Sequence, residues 1–158
     1  MKLSVIALNI SVFGVFYSSA WALENERWSV GYSQGIAEYI VANGPGNDFN
    51  ISCNENAEDI SSPDIMIDII GKKPPANSSV IIILDGIQSK FSTDQYGNII
   101  TNCHYCAEVF LSMWYDLKTS KTMLVQFSDG RSSQFSMKGA SKILKHAKCK
   151  IDYFNKKF

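Results

Sequence analysis

Four cysteines constrain this chain more than any other feature of its sequence. They are Cys53, Cys103, Cys106 and Cys149, and all of them follow an N-terminal segment with the pattern of an export signal. An even number of cysteines in an exported chain favours two disulfides over free thiols. Three pairings are possible. Cys103 and Cys106 can close a small local ring, which leaves Cys53 for Cys149 and ties an early strand to the end of the last helix.

The export signal is predicted from residues 1–22. Lys2 is followed by an apolar run to about Tyr17 and by the small-residue signature Ala20-Trp21-Ala22. A run of roughly 15 apolar residues is short for a membrane span and typical of a cleaved signal peptide, although an uncleaved anchor helix is the alternative. We therefore expect a single domain over residues 23–158, without a membrane span, in the periplasm or outside the cell.

The charge balance excludes two classes of partner. The chain has 15 basic and 15 acidic residues, so its formal net charge is zero. A protein without a strong positive field has little to attract nucleic acid or an anionic membrane surface. The partner that we expect is another protein, as the hypothesis of an exported binding protein implies.

Most of the remaining sequence predicts a mainly β, α+β protein. Short apolar or alternating segments bounded by Gly, Pro, Asn and Asp are typical of strands. Hairpins are expected at Tyr96-Gly97 and at Asp129-Gly130, and the second dipeptide suits the positive φ values of a two-residue turn. The predicted strands are residues 27–33, 37–42, 49–54, 64–70, 80–84, 88–93, 98–101, 122–128 and 131–137.

Two later segments have helical periodicity instead. Apolar residues recur on one face of a helix over residues 106–118, at Val109, Phe110, Met113, Trp114 and Leu117. A second helix is predicted to run through Cys149, with an apolar face formed by Ala140, Ile143, Leu144, Ala147 and Ile151. Both apolar faces are expected to pack in the core.

The Cys103-His104-Tyr105-Cys106 motif thus lies at a predicted helix N-terminus, where the helix dipole and free amides stabilise a thiolate. Thioredoxin-type enzymes use this geometry. However, that fold needs parallel βαβ units and a proline after the motif that faces the disulfide. The prolines of this chain all precede Cys103, at Pro45, Pro63, Pro74 and Pro75. A structural ring is therefore favoured, and thiol–disulfide exchange is the alternative.

A zinc site is a further alternative for the same cysteines. Cys103 and Cys106 could join His146 and Cys149 in a four-ligand site, but this would leave Cys53 unpaired in an oxidising compartment. No nucleophile–base set, zinc-protease motif or glycine-rich phosphate loop is recognisable. We therefore predict no metal, no cofactor and no catalytic residue, and a protein that is not an enzyme.

The second half of the chain resembles the invasion-associated locus B family. The resemblance rests on an apolar strand ending in Asp-Gly, two cysteines before a helix, a Leu-Lys helix end, a strand ending in Asp-Gly, and a glycine before a last helix. These features fall at residues 80–87, 103–108, 113–118, 123–130 and 135–144. Members of that family are exported proteins of Gram-negative bacteria. The resemblance implies an antiparallel, immunoglobulin-like β-sandwich and a non-catalytic role in host-cell entry.

Two classes of function follow from these observations. The first is an exported binding protein of the bacterial envelope, which contacts a host protein or acts as an inhibitor or immunity protein. The second is a periplasmic thiol–disulfide oxidoreductase or chaperone that uses Cys103 and Cys106. For a binding protein, we expect His104 and Tyr105 to contact the partner, because a disulfide-closed ring presents them in a fixed conformation.

Overall fold

The computed structural model describes residues 26–54, 62–147, 149 and 151. The predicted signal peptide, residues 1–22, lies outside the described residues and stays a prediction. Within the described part of the chain the order of elements is β1 (Ser29–Ser33), β2 (Ile36–Ala42), β3 (Asp48–Asn54), β4 (Asp64–Asp68), β5 (Ser79–Leu84), β6 (Ile87–Ser92), α1 (His104–Leu117), β7 (Met123–Phe127), β8 (Ser132–Phe135) and α2 (Ala140–Leu144).

The first four strands form one antiparallel sheet in the order β1-β2-β3-β4. Gln34 and Gly35 join β1 to β2, and their φ values of 50° and 82° suit the two-residue turn of a tight hairpin. Alternate residues of β2 and β3 are buried, including Tyr39 and Phe49, while the residues between them lie on the opposite face. The alternation gives this sheet one core-facing and one more polar side.

The other four strands form a second antiparallel sheet in the order β6-β5-β7-β8. Asp85 and Gly86, with φ values of 47° and 89°, make the tight turn between β5 and β6. The Asp85 carboxylate accepts hydrogen bonds from the Lys121 and Thr122 amides and from the Thr122 hydroxyl. These bonds hold the β5–β6 turn against the start of β7 and lower the pKa of Asp85, with the Thr122 hydroxyl the largest cause.

One continuous hydrophobic core includes buried residues from both sheets and from both helices. Phe49 of the first sheet meets Phe135 of the second, with ring centroids 5.9 Å apart. Tyr39 contacts Trp114 of α1 edge to face at 5.5 Å. Helix α1 also contacts β5 and β6. Two antiparallel four-stranded sheets with two helices confirm the mainly β prediction and are consistent with a β-sandwich.

Immunoglobulin-like connectivity is not confirmed. An immunoglobulin sandwich distributes strands from both halves of the chain between its two sheets through Greek-key connections. Here each sheet is built from consecutive strands, β1–β4 in one and β5–β8 in the other. No described helix is long and apolar enough to cross a membrane.

Three local predictions are wrong. Residues 98–101 form no strand: Thr93 and Ile99 make an isolated bridge, the Ile100 amide donates to the Ser92 carbonyl, and Thr101 then donates a hydrogen bond to the Pro63 carbonyl. At Asp129-Gly130 only Gly130 has a positive φ, so β7 and β8 are joined by a three-residue loop, closed by the hydrogen bond from the Phe127 amide to the Arg131 carbonyl.

The third correction concerns α2, which has 5 residues and ends at Leu144 instead of continuing through Cys149. Its N-cap, Gly139, supplies no side-chain hydrogen bond, and a helix this short depends on packing for stability. Lys145 and His146 form a turn, Ala147 and Cys149 are not helical, and Cys149 is bonded to Cys53 of β3.

Candidate functional site

The Cys103-His104-Tyr105-Cys106 ring forms the first turn of α1. Cys103 is the N-cap, with extended backbone angles, and its Sγ accepts a hydrogen bond from the Cys106 amide at 3.1 Å. The Ala107 amide donates to the Cys103 carbonyl at 2.8 Å. The helix therefore begins at His104, two residues before the predicted start, and the disulfide between Cys103 and Cys106 fixes this turn covalently.

The structure pairs the cysteines as the sequence analysis expected. Cys53 is bonded to Cys149 across 96 residues of chain, and Cys103 is bonded to Cys106. All four thiols are therefore engaged, and none is left to ligate zinc in the alternative site with His146, which is an exposed turn residue after α2. Two disulfides suit an oxidising, extracytoplasmic compartment.

Helix α1 has one buried and one outward side. The buried residues are Ala107, Phe110, Met113, Trp114 and Leu117. The opposite side carries exposed residues with half-buried Leu111 between them, and we call it the α1 outer face: His104, Tyr105, Glu108, Leu111, Ser112 and Tyr115. The predicted binding residues thus lie at the N-terminal end of a longer surface. Ser112 and Tyr115 were not predicted, although helical spacing places them on the side opposite the apolar residues.

Two tyrosines dominate the α1 outer face. Tyr105 and Tyr115 are each 68% exposed, and ten residues of helix place them about 15 Å apart along the axis. His104 Nδ1 lies 3.5 Å from Glu108 Oε1, and both side chains are more than half exposed. An exposed pair of this kind contributes little to folding stability.

The C-terminal end of α1 is also fixed in place. Lys118 Nζ lies 5.3 Å from the centroid of the Trp114 ring and donates a 3.5 Å hydrogen bond to the Ala147 carbonyl. A cation at this end of a helix is favoured by the helix dipole. The outer face is therefore held by a disulfide at one end, by Lys118 at the other and by buried residues along its length.

An open groove of about 410 Å³ adjoins the ring. The groove is lined by two segments, one that leads into β4 and one that follows β6 and ends just before Cys103. The lining residues are Ser62, Pro63, Asp64, Asp94, Ile99, Ile100, Thr101 and Asn102. The pKa of Asp94 is lowered by the hydrogen bonds that its carboxylate accepts. The largest cause is the Asn98 amide, and the Asn98 side chain and the Tyr96 amide also donate. Asp94 is thus a charged but already engaged group, whereas Asp64 is exposed.

The surroundings of the ring differ from those in a thioredoxin-type enzyme. Every strand pairing in the described residues is antiparallel, and α1 connects β6 to β7 within the second sheet. The helix therefore does not belong to a parallel βαβ unit. Cys103 and Cys106 are both partly buried, so the disulfide has some access to solvent.

The fold and the ring together define a class: a disulfide-bonded, mainly β protein with a covalently closed turn at the start of its main helix. More narrowly, the chain belongs to the YfjT family, whose sequence model matches residues 26–144. That range includes β1 to α2 and three of the four cysteines. Searches of curated proteins and of solved structures find no match. None of these comparisons links the chain to the invasion-associated locus B family.

Proposed function

We propose that this chain is an exported, non-catalytic binding protein that uses the α1 outer face to contact another protein of the bacterial envelope or of a host. The observation that carries the proposal is a surface with two tyrosines of 68% exposure on a helix whose first turn is closed by a disulfide. Through this contact the chain would act as an inhibitor or immunity protein that occupies a site on its partner.

The disulfide supports binding because it reduces the entropy lost when a partner docks. Association is opposed by the ordering of loops and side chains, so a surface that is already fixed loses less on binding. Here the covalent ring, the buried face of α1 and the Lys118 contacts hold the backbone in place. Tyrosine adds a large contact area with only two side-chain torsions to restrict.

The size of the surface indicates how a partner would bind. A helix of 14 residues is about 21 Å long and about 10 Å wide, so its outer face offers on the order of 200 Å². A stable interface buries about 800 Å² on each partner. The partner must therefore extend beyond α1, and the open groove that begins at Asn102 is the adjoining surface with a concave shape and an exposed carboxylate, Asp64.

The α1 surface is tested with matched tyrosine variants. Partner protein is first isolated from envelope or host extracts with the unaltered chain, and its affinity is then measured against purified variants. Replacing both Tyr105 and Tyr115 with alanine should weaken binding at least tenfold, because tyrosine is enriched among the interface residues whose truncation costs most and a tenfold loss needs only about 1.4 kcal/mol in total. A variant with His104 and Tyr105 replaced together, both cysteines intact, should show a partial loss.

Tyr96 provides the control, because it is 72% exposed and lies in the turn after β6, outside α1. Tyr96→Ala should bind like the unaltered chain, and all variants should keep the same melting temperature, since the replaced side chains are exposed. Full affinity in the Tyr105/Tyr115 variant would refute the proposal. A similar loss in Tyr96→Ala would show that the assay reports non-specific binding by exposed tyrosines.

Thiol–disulfide exchange is the second candidate function, and the position of Cys103 as the N-cap of α1 favours it. The two candidates are separated by equilibrating the folded protein with glutathione buffers of known ratio and mapping alkylated cysteines by mass spectrometry. A structural Cys103–Cys106 bond should stay oxidised at ratios that reduce catalytic disulfides. Ready exchange with glutathione, together with reduction of an added substrate disulfide, would instead support the oxidoreductase.

A further inference from the structure

Strand β1 is a mostly exposed sheet edge that helix α2 also contacts. Among the residues that the structure describes it pairs only with β2, and four of its five residues are exposed, with Tyr32 at 69% and Val30 at 37%. Natural edge strands are commonly protected by lysine, proline, bulges or covering segments, because their free backbone groups can pair with another chain. The sequence of β1, Ser29-Val30-Gly31-Tyr32-Ser33, contains neither charge nor proline.

Two of the other edges each accept a hydrogen bond from another part of the chain. At β8, the Asn43 side chain donates a 2.7 Å hydrogen bond to the Gln134 carbonyl. At β6, the Ile100 amide donates to the Ser92 carbonyl at 2.9 Å. At β1 the corresponding contact lies before the strand, where the Trp28 amide donates to the Lys138 carbonyl at 3.0 Å. The edge from Val30 to Ser33 lies beyond that contact.

The Trp28 hydrogen bond also shows which groups of β1 face outward. Amide directions alternate along a strand, so Val30 and Tyr32 direct their N–H and C=O groups the same way as Trp28, away from β2. These two residues are therefore the ones available to pair with an added strand. Their side chains share the core-facing side of the sheet, because they are aligned with Tyr39 and Ala37 of β2.

The sequence of β1 suits antiparallel pairing with a second copy of itself, centred on Gly31. An antiparallel pair of β1 strands related by a two-fold axis at Gly31 places Val30 opposite Tyr32 of the second copy, and Ser29 opposite Ser33. Both Val–Tyr pairs would exchange the outward backbone hydrogen bonds, and aromatic–β-branched pairs are favourable across strands. Gly31 of one copy would face Gly31 of the other, where the two strands approach most closely. A side chain added at this glycine would meet nothing of its own chain within 4 Å of its Cβ.

From this geometry we propose that β1 pairs with β1 of a second copy, joining two four-stranded sheets into one eight-stranded sheet in a two-fold dimer. The contact of five residues on each strand is small, so the dimer should be weak and concentration-dependent, as interfaces well below about 1,200 Å² are. The proposal concerns β1 alone and does not depend on the α1 outer face.

Cysteine cross-linking tests both the contact and its register. In the Gly31→Cys variant the two new thiols face each other at a non-hydrogen-bonded position, where Cα atoms are about 4.5 Å apart and within reach of a disulfide. Ser29→Cys is the matched control, because residue 29 faces residue 33 of the second copy and its own copy lies about 13 Å away. With oxidised glutathione as the oxidant, Gly31→Cys should give a covalent dimer at least tenfold faster than Ser29→Cys.

A second measurement avoids new thiols. Sedimentation equilibrium over about a hundredfold range of concentration should show a monomer–dimer equilibrium for the unaltered chain. Val30→Lys should abolish it, whereas Ile87→Lys, at an exposed apolar position of β6, should leave it unchanged. Equal cross-linking of Gly31→Cys and Ser29→Cys, a chain that stays monomeric at every concentration, or equal dimerisation of Val30→Lys would each overturn the proposal.

Discussion

The two disulfides should contribute very unequally to stability. A cross-link stabilises the folded state mainly by restricting the unfolded chain, and its effect grows with the length of the loop that it closes. Cys53 and Cys149 are 96 residues apart, which corresponds to about 4.7 kcal/mol on the chain-entropy model. Cys103 and Cys106 are 3 residues apart, which corresponds to about 2 kcal/mol.

Two double variants test this difference. Replacing Cys53 and Cys149 with alanine should remove about 4–5 kcal/mol, which is comparable with the whole free energy of unfolding of a marginally stable domain. Replacing Cys103 and Cys106 with serine should remove about 1–2 kcal/mol. The serine hydroxyl at position 103 can still accept the amide hydrogen bond that Cys103 Sγ accepts, so the N-cap of α1 is kept.

The assay is equilibrium unfolding in urea, followed by helical circular dichroism and by tryptophan fluorescence. Each free energy should be extrapolated with the slope measured for that variant, because removing a cross-link also makes the denatured state less compact. A larger loss for the Cys103/Cys106 variant than for the Cys53/Cys149 variant would refute the loop-entropy reasoning. It would also show that the ring contributes to stability through contacts beyond the cap.

Three further changes test the fold. Arg131→Ala should lower the free energy of unfolding by about 2–3 kcal/mol in urea titrations, because its partly buried guanidinium donates to three backbone carbonyls after β4. Gly97→Ala should destabilise more than Gly44→Ala, because both have positive φ but only at Gly97 would a Cβ lie 2.4 Å from the Pro74 carbonyl oxygen. Thermal stability should fall as the pH drops below about 4, because hydrogen bonds lower the folded-state pKa of three aspartates below the unfolded value and their stabilisation is lost on protonation: Asp85, Asp94 and Asp129.

The parts of the fold that the sequence predicted are those set by local periodicity. β3, β5 and β7 were placed within a residue or two because their apolar residues recur with a period of two or run continuously. Helix α1 was found because its apolar residues recur with helical spacing. The same spacing failed for α2, where Ala147 and Ile151 continue the pattern although the helix ends at Leu144.

Strand pairing was less accessible, because it depends on contacts distant in sequence. The Asp85-Gly86 turn joins β5 to β6, yet the sequence analysis identified a hairpin at Tyr96-Gly97 instead. At that second turn, the Asp94 carboxylate accepts hydrogen bonds from the amides of Tyr96 and Asn98. The residues that follow form a single β-bridge, of Ile99 with Thr93. The glycine of Tyr96-Gly97 therefore indicated a turn correctly, but not whether a ladder follows, and no turn was predicted at Asp85-Gly86.

The α1 outer face and the β1 edge also differ in how far the sequence predicted them. The α1 outer face was partly predictable, because a helix with one apolar side must present its other side to solvent, and the ring at its start is visible as two cysteines three residues apart. The exposure of β1 was not, because its aromatic and β-branched residues have the composition of any strand. Only the sheet order shows that β1 has a single neighbouring strand in the described part of the chain, and only then do the matching positions on either side of Gly31 become a prediction about a second copy.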